Sequence, residues 1–242
     1  MRDFAEAIAA AQRDAGNRGI GTLGEKTLHL ALKYYFAPDP AAHERPIGGF
    51  VADAVTEDGV IEIQTRSLYR LKPKLNAFLP LCPVTVVFPV IADKTLYRVN
   101  EDGELLSCRR SPKHENVYSA MREIYALRQY LPNPQFRIIL CELDLAEYSV
   151  QQSKSRRKKL DRIPLALRQI RALETPADYA AFLPDPLPEP LTASALASAA
   201  HCGEQSARLY LNLLGSMGIL AEAGRSGRLK CWKRCGFNAI GG

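Results

Sequence analysis

Residues 50–65, FVADAVTEDGVIEIQT, constrain this chain more than any other stretch. Phe50 to Val55 is apolar and β-prone, Glu57-Asp58-Gly59 is a turn signal, and Val60 to Thr65 alternates, so the segment predicts a β-hairpin. Side chains along a strand repeat every two residues. Ile61 and Ile63 therefore face one way and Glu62 and Gln64 the other. The first strand carries one acidic residue, Asp53, in an otherwise apolar run. The hairpin can bring Asp53 and Glu62 together at one end of a sheet. Two carboxylates held close repel, and a divalent cation with oxygen ligands is the simplest way to reconcile them. The competing reading leaves Glu62 and Gln64 as the solvated face of an edge hairpin.

Helical patterns flank the hairpin. A short helix is expected over residues 3–15, ending at Gly16. A second begins after Thr22, with Glu25 three residues later completing a capping box. Ser67 to Leu79 predicts a helix that Pro73 disturbs in its early turns, and Asn116 to Leu131 another. Val84 to Phe88, bounded by prolines, suits a buried central strand. Residues 95–99 and 104–107 suggest a second hairpin, and residues 136–145 a further strand. This order of helices and strands predicts an α/β domain over residues 1–150.

Charge divides the chain. Residues 1–150 hold 18 Lys and Arg against 19 Asp and Glu, and residues 151–242 hold 14 against 7. A basic half joined to a neutral half suggests a polyanion partner, usually nucleic acid, although solvated Lys and Arg with no partner would give the same count. The densest run, Ser153 to Arg162, includes Arg156, Arg157, Lys158 and Lys159. It reads either as a solvated loop or as an arm contacting phosphates. With the Pro184–Pro190 stretch it forms an expected connector over residues 151–190, ahead of a small domain over 191–242. The six cysteines form no CxxC pair, and the spacing of Cys231 and Cys235 with His201 and Cys202 suits zinc poorly. The opening residues lack the pattern of a signal peptide, and no apolar run approaches the ~20 residues a membrane span needs, so a cytoplasmic protein is expected.

Three pieces of the N-terminal half carry a resemblance: Gly24-Glu25-Lys-Thr-Leu-His, Val51-Ala-Asp53 and Ile61-Glu62-Ile-Gln64. In order and spacing they resemble the PD-(D/E)XK nuclease superfamily, over roughly residues 20–90. The resemblance implies a restriction-endonuclease-like fold, a mixed sheet flanked by helices, and hydrolysis of DNA phosphodiesters with Mg²⁺ or Mn²⁺. It implies Glu25, Asp53, Glu62 and Gln64 as catalytic residues, with Asp53, Glu62 and the main-chain carbonyl of Ile63 as metal ligands. Ala52 stands where the family often has proline, and Gln64 stands in place of its lysine. Glutamine can orient a water by hydrogen bonding, but it cannot neutralise charge. Lys26, Arg66 and Lys72 are nearby sources of that charge. His29 lies one turn beyond Glu25 and reads as a structural histidine.

Residues 190–235 resemble a winged helix-turn-helix. That resemblance implies Gln205, Ser206, Arg208 and Asn212 facing a DNA major groove, and Arg225, Arg228 and Lys230 on a wing. Winged helices also serve as protein–protein modules. The expected function is a metal-dependent DNA endonuclease, possible as a homodimer. The alternative is a nuclease-like DNA-binding regulator that has lost catalysis. An interaction protein that binds no DNA is a third reading.

Overall fold

The structure is a computed structural model that describes residues 3–17, 27–151 and 157–235. Two helices, α1 (Phe4–Asn17) and α2 (Thr27–Phe36), lead into three antiparallel strands, β1 (His43–Ile47), β2 (Phe50–Thr56) and β3 (Gly59–Ile63). The expected hairpin is therefore β2–β3. Gly59 turns it at φ +108° with its α-carbon against the Pro83 carbonyl, a place with no room for a side chain.

A single 3-10 turn (Leu68–Leu71) and α3 (Lys72–Phe78) then cross to β4 (Val84–Val99), which runs parallel to β3. Pro73 opens α3 in the first helical turn instead of disturbing an established helix, because that position has no intrahelical use for an N–H. β5 (Leu105–Arg110) folds back on the far half of β4, and α4 (Val117–Tyr125) follows, capped by the Asn116 side chain. β6 (Phe136–Gln151) lies parallel to β4, and β7 (Arg157–Leu173) closes the sheet antiparallel to β6. The result is a seven-stranded mixed sheet, β1-β2-β3-β4-β6-β7 with β5 beside β4. Helices α1 and α2 pack on one face with Ile61, Ile63, Val87 and Leu143, and α3 and α4 on the other with Val60, Val86 and Ile138. The chain is thus α/β, with helices flanking a large mixed sheet.

Two expectations are corrected here. The strand around Val84–Phe88 does not stop at Pro89 but runs to Val99. Pro89 sits in a stretch of β4 where β3 has ended its pairing at Val87 and β5 has not begun at Thr95, so no neighbour on that side asks for its missing N–H. Residues 157–173, expected within a connector, are the 17-residue strand β7. An edge strand faces water along one side, so Lys and Arg there blunt unwanted pairing and mask the strand signal.

The remaining elements are α5 (Pro176–Ala180), α6 (Ala193–Ala199), α7 (Glu204–Ser216) and the hairpin β8 (Leu220–Ser226)–β9 (Leu229–Arg234), with Leu191 bridging to Trp232. Thr192 caps α6, and Gly227-Arg228 makes the hairpin turn. The Pro-rich stretch is not a free tether. Leu183 and Leu191 are buried, Leu187 packs beside them, and the hydrophobic cluster runs without a break from α4 to α7. Tyr118 of α4 meets Tyr210 of α7 edge-on at 5.6 Å, and its hydroxyl donates to the Phe182 carbonyl.

Candidate active site

The β2–β3 ladder pairs Ala54 with Ile61 and goes no further. Beyond that point two side chains do what the backbone would have done. The Asp53 carboxylate accepts the Ile63 N–H at 2.7 Å, and the Glu62 carboxylate accepts the Asp53 N–H at 3.3 Å. The strands fork, and the two acids bridge the fork.

Each acid then meets a base from an opposite face of the sheet. His29 on α2 places Nε2 3.2 Å from Asp53 Oδ2. Lys74, in the first turn of α3, donates to both oxygens of Glu62, at 3.0 and 2.8 Å. Asp161 on β7 accepts hydrogen bonds from the Thr27 backbone and hydroxyl, which fixes the start of α2 and hence His29. A basic edge strand therefore helps to set the site.

Burial dictates the electrostatics. The Glu62 side chain is 2% exposed. Burial, and then the neighbouring Asp53 charge, push its pKa up to about 7, against the pull of Lys74. Burial opposes the Asp53 charge too. The His29 hydrogen bond and charge, the Ile63 N–H and Lys74 outweigh it and hold Asp53 below its ordinary value. One member of the pair is a firm carboxylate and the other is poised to exchange a proton near neutrality, as general acid–base chemistry requires.

Of the residues expected in the site, Asp53 and Glu62 are brought together and the main chain of Ile63 joins them. Glu25 lies outside the described residues. Gln64 continues the backbone ladder to Val87, but its amide nitrogen donates to the carbonyls of Arg66, at 2.5 Å, and Ser67, so it braces the loop after β3. Ser67 there has φ 59°, the left-handed region, which the brace helps to hold. Of the cations expected near the acids, Lys26 lies outside the described residues, and the ammonium placed against Glu62 is that of Lys74. His29 touches the site after all. Its signal was its spacing one turn after Glu25; for Lys74 the spacing within α3 gives no hint, because the contact depends on how the helix crosses the sheet.

Among the described residues no group of three or more His, Cys, Asp and Glu is arranged to hold a metal ion. The donor set nevertheless suits a hard divalent ion such as Mg²⁺, which takes one or two carboxylates and completes its shell with water and phosphate oxygens. Asp53 and Glu62 are such a pair, and a cationic ammonium already sits against one of them.

The residues expected to bind DNA are scattered. Arg156 lies outside the described residues, Arg157 begins β7, and Lys158 and Lys159 are exposed on it, Lys159 paired with Glu147 at 3.2 Å. Gln205 and Ser206, at the start of α7, line a cavity against the sheet. Arg208 is exposed and paired with Glu204 at 3.0 Å, and Asn212 is half-buried. Arg225 and Arg228 are exposed at the tip of β8–β9, and Lys230 lies over the Trp232 ring and against Glu222. No helix among the described residues is long and apolar enough to cross a membrane.

Residues 26–174, from the entry into α2 to the end of β7, match a family described as a domain of unknown function, DUF8091, and the chain belongs to that family. It is also similar to an uncharacterized protein of Treponema pallidum (strain Nichols), with 31% identity over 224 residues, which cover 89% of this chain and 87% of the relative. No solved structure matches it.

Proposed function

We propose that the protein is a metal-dependent deoxyribonuclease of the PD-(D/E)XK type, whose C-terminal elements act as a DNA-holding winged helix. The observation that carries this reading is the Asp53–Glu62–Lys74 cluster at the fork of β2 and β3. It reunites two carboxylates and an ammonium although the sequence has Gln64 in the lysine's place. Asp53, Glu62 and the Ile63 carbonyl would hold Mg²⁺ or Mn²⁺. When bound, such an ion polarises the scissile phosphodiester and lowers the pKa of a water. Lys74 supplies positive charge for the developing phosphorane oxygens and counters the charge of Glu62. Glu62, buried against Lys74, would serve that ion as a carboxylate ligand. His29 fixes the Asp53 carboxylate from the opposite face. The element order α5, the Leu191 bridge, α6, α7, β8, β9 is that of a winged helix, and its basic hairpin tip supports a phosphate-contacting role.

One observation favours the second reading, a nuclease-like DNA-binding regulator without catalysis. The Gln64 amide nitrogen faces backbone carbonyls and not the carboxylates. The test that separates them is cleavage of supercoiled, linear, branched and single-stranded DNA with Mg²⁺ or Mn²⁺, comparing wild type with Asp53→Asn and Glu62→Gln. Metal-dependent cutting that both substitutions abolish is the expected result. Cutting that survives in either folded variant, or a folded wild type that binds DNA and cuts none of these substrates, would overturn the nuclease reading.

A further inference from the structure

Beside the candidate active site, where the chain turns from β3 through Thr65 and Arg66, lies a cavity of about 410 Å³. The sheet, α4 and the start of α7 enclose it. Its volume is that of a site for a small organic molecule. Four cationic side chains line it: Arg66, Lys113, Arg122 and Arg162. Its two acids already have partners, those of Glu115 within the lining itself. Glu115 accepts the Ile91 N–H at 3.1 Å and sits 3.6 Å from Lys113, and Glu123 accepts the Leu68 N–H at 2.8 Å. Among the described residues, none of the three guanidinium groups forms a salt bridge, and the buried Nε of Arg162 has no hydrogen-bond partner.

Arg66 and Arg122 are exposed and Arg162 is half-buried, and a buried guanidinium nitrogen without a partner is costly unless an anion joins it. Burial weakens the charged form of Arg162; the charges of Glu147 and then Glu115 pull against this, and the Arg66 charge adds to it. Arginine's planar fork suits the oxygens of a phosphate in bidentate fashion. Phe88, Pro89 and Val90 give the lining an apolar part that suits a sugar or base. Gln205 and Ser206 provide polar groups at the rim.

We infer that this cavity binds the phosphate monoester of a nucleotide, with Arg66, Arg122 and Arg162 on the phosphate and the Phe88–Val90 wall against the nucleoside. The site stands on its own residues and does not depend on cutting. The Gln64 brace on the Arg66 carbonyl ties it to the strand that carries Glu62. The source of the nucleotide is either the terminal residue of a nucleic-acid strand or a free mononucleotide.

Both sources can be measured with the full chain in EDTA. The probes are short single-stranded oligonucleotides bearing a 5′-phosphate, a 3′-phosphate or hydroxyls at both ends, together with AMP and adenosine. The expected result is that one phosphorylated strand, or AMP, binds at least tenfold tighter than its unphosphorylated counterpart. Arg162→Gln should abolish that preference. If that variant does not fold, Arg66→Gln with Arg122→Gln serves, since both side chains are exposed. A preference for a phosphorylated end without competition by AMP identifies a strand terminus, and equal competition by AMP identifies the free nucleotide. Equal binding of phosphorylated and unphosphorylated probes overturns the inference, as does a folded variant that keeps the preference. The preference should persist in Asp53→Asn. If it does and wild type cuts no DNA, the nuclease reading fails and this one stands; cutting without the preference gives the reverse.

Discussion

Replacing Glu62 by glutamine should change how stability depends on pH. The folded protein holds the Glu62 carboxyl at about 7, above its ordinary value of 4.5. Between those values the folded state binds more protons than the unfolded state, so stability falls as pH rises. The contribution is fully present below about pH 4.5 and is lost by the time the pH passes 7. Each pH unit of separation is worth about 1.4 kcal/mol, so the loss is about 3 kcal/mol. For a chain of this size that corresponds to a fall in Tm of about 6–12 °C. Glutamine does not titrate, so Glu62→Gln should remove this component. Asp53, held low, contributes in the opposite sense and at lower pH, so the difference between wild type and variant isolates Glu62. Urea unfolding of both proteins at half-unit steps from pH 4.5 to 8.5 measures it. The wild-type curve should drop relative to the variant by about 3 kcal/mol over this range. Parallel curves would refute the buried, charge-opposed state of Glu62. If Asp53 and Glu62 take a divalent ion, Mg²⁺ added above pH 7 should restore part of the loss in wild type and none in the variant.

Three further outcomes follow from other parts of the molecule. Lys74→Met should cut any DNA cleavage by about 10²–10³-fold, the usual loss for one preorganised charge-stabilising group. Steady-state cleavage assays check it, and Glu62 should escape much of the stability cost by keeping its proton. Gly59→Ala should destabilise by at least about 2 kcal/mol in chemical unfolding, because the new Cβ would sit 2.3 Å from the Pro83 carbonyl oxygen at φ +108°. Arg225→Ala with Arg228→Ala should lower DNA affinity and reduce the log–log salt dependence by about 2 in gel-shift titrations, if both meet phosphates. An unchanged salt slope would remove the hairpin tip from the DNA interface.

The β2–β3 hairpin was legible because alternation, turn residues and two isolated acids all sit within sixteen neighbouring positions, where local chemistry decides the structure. The C-terminal part, read as a helix pair followed by a hairpin through its resemblance over residues 190–235, is also a matter of neighbouring positions, with Thr192 capping α6 and glycines at the turns. β7 was not, because its polar, basic sequence belongs to an edge, and edges obey solubility more than burial. The partners of the two acids were hidden more deeply. His29 and Lys74 approach from helices on opposite faces of the sheet, and which helix residue lands on which strand residue is set by a crossing that no short window contains. Gln64 shows the converse. Its position in the motif matched the resemblance, yet its amide nitrogen serves the loop that follows.

The family match ends at residue 174, but the physical unit does not. Met121 and Ile124 of α4 share their hydrophobic cluster with Tyr179, Leu191, Tyr210 and Leu214. A chain cut at the family boundary would leave that face of α4 in water, and a peptide starting at 175 would lose the surface against which α7 is ordered. The two halves therefore share one hydrophobic cluster and should unfold together in a single transition, with the C-terminal hairpin carried on the same body as Asp53 and Glu62 rather than on a leash.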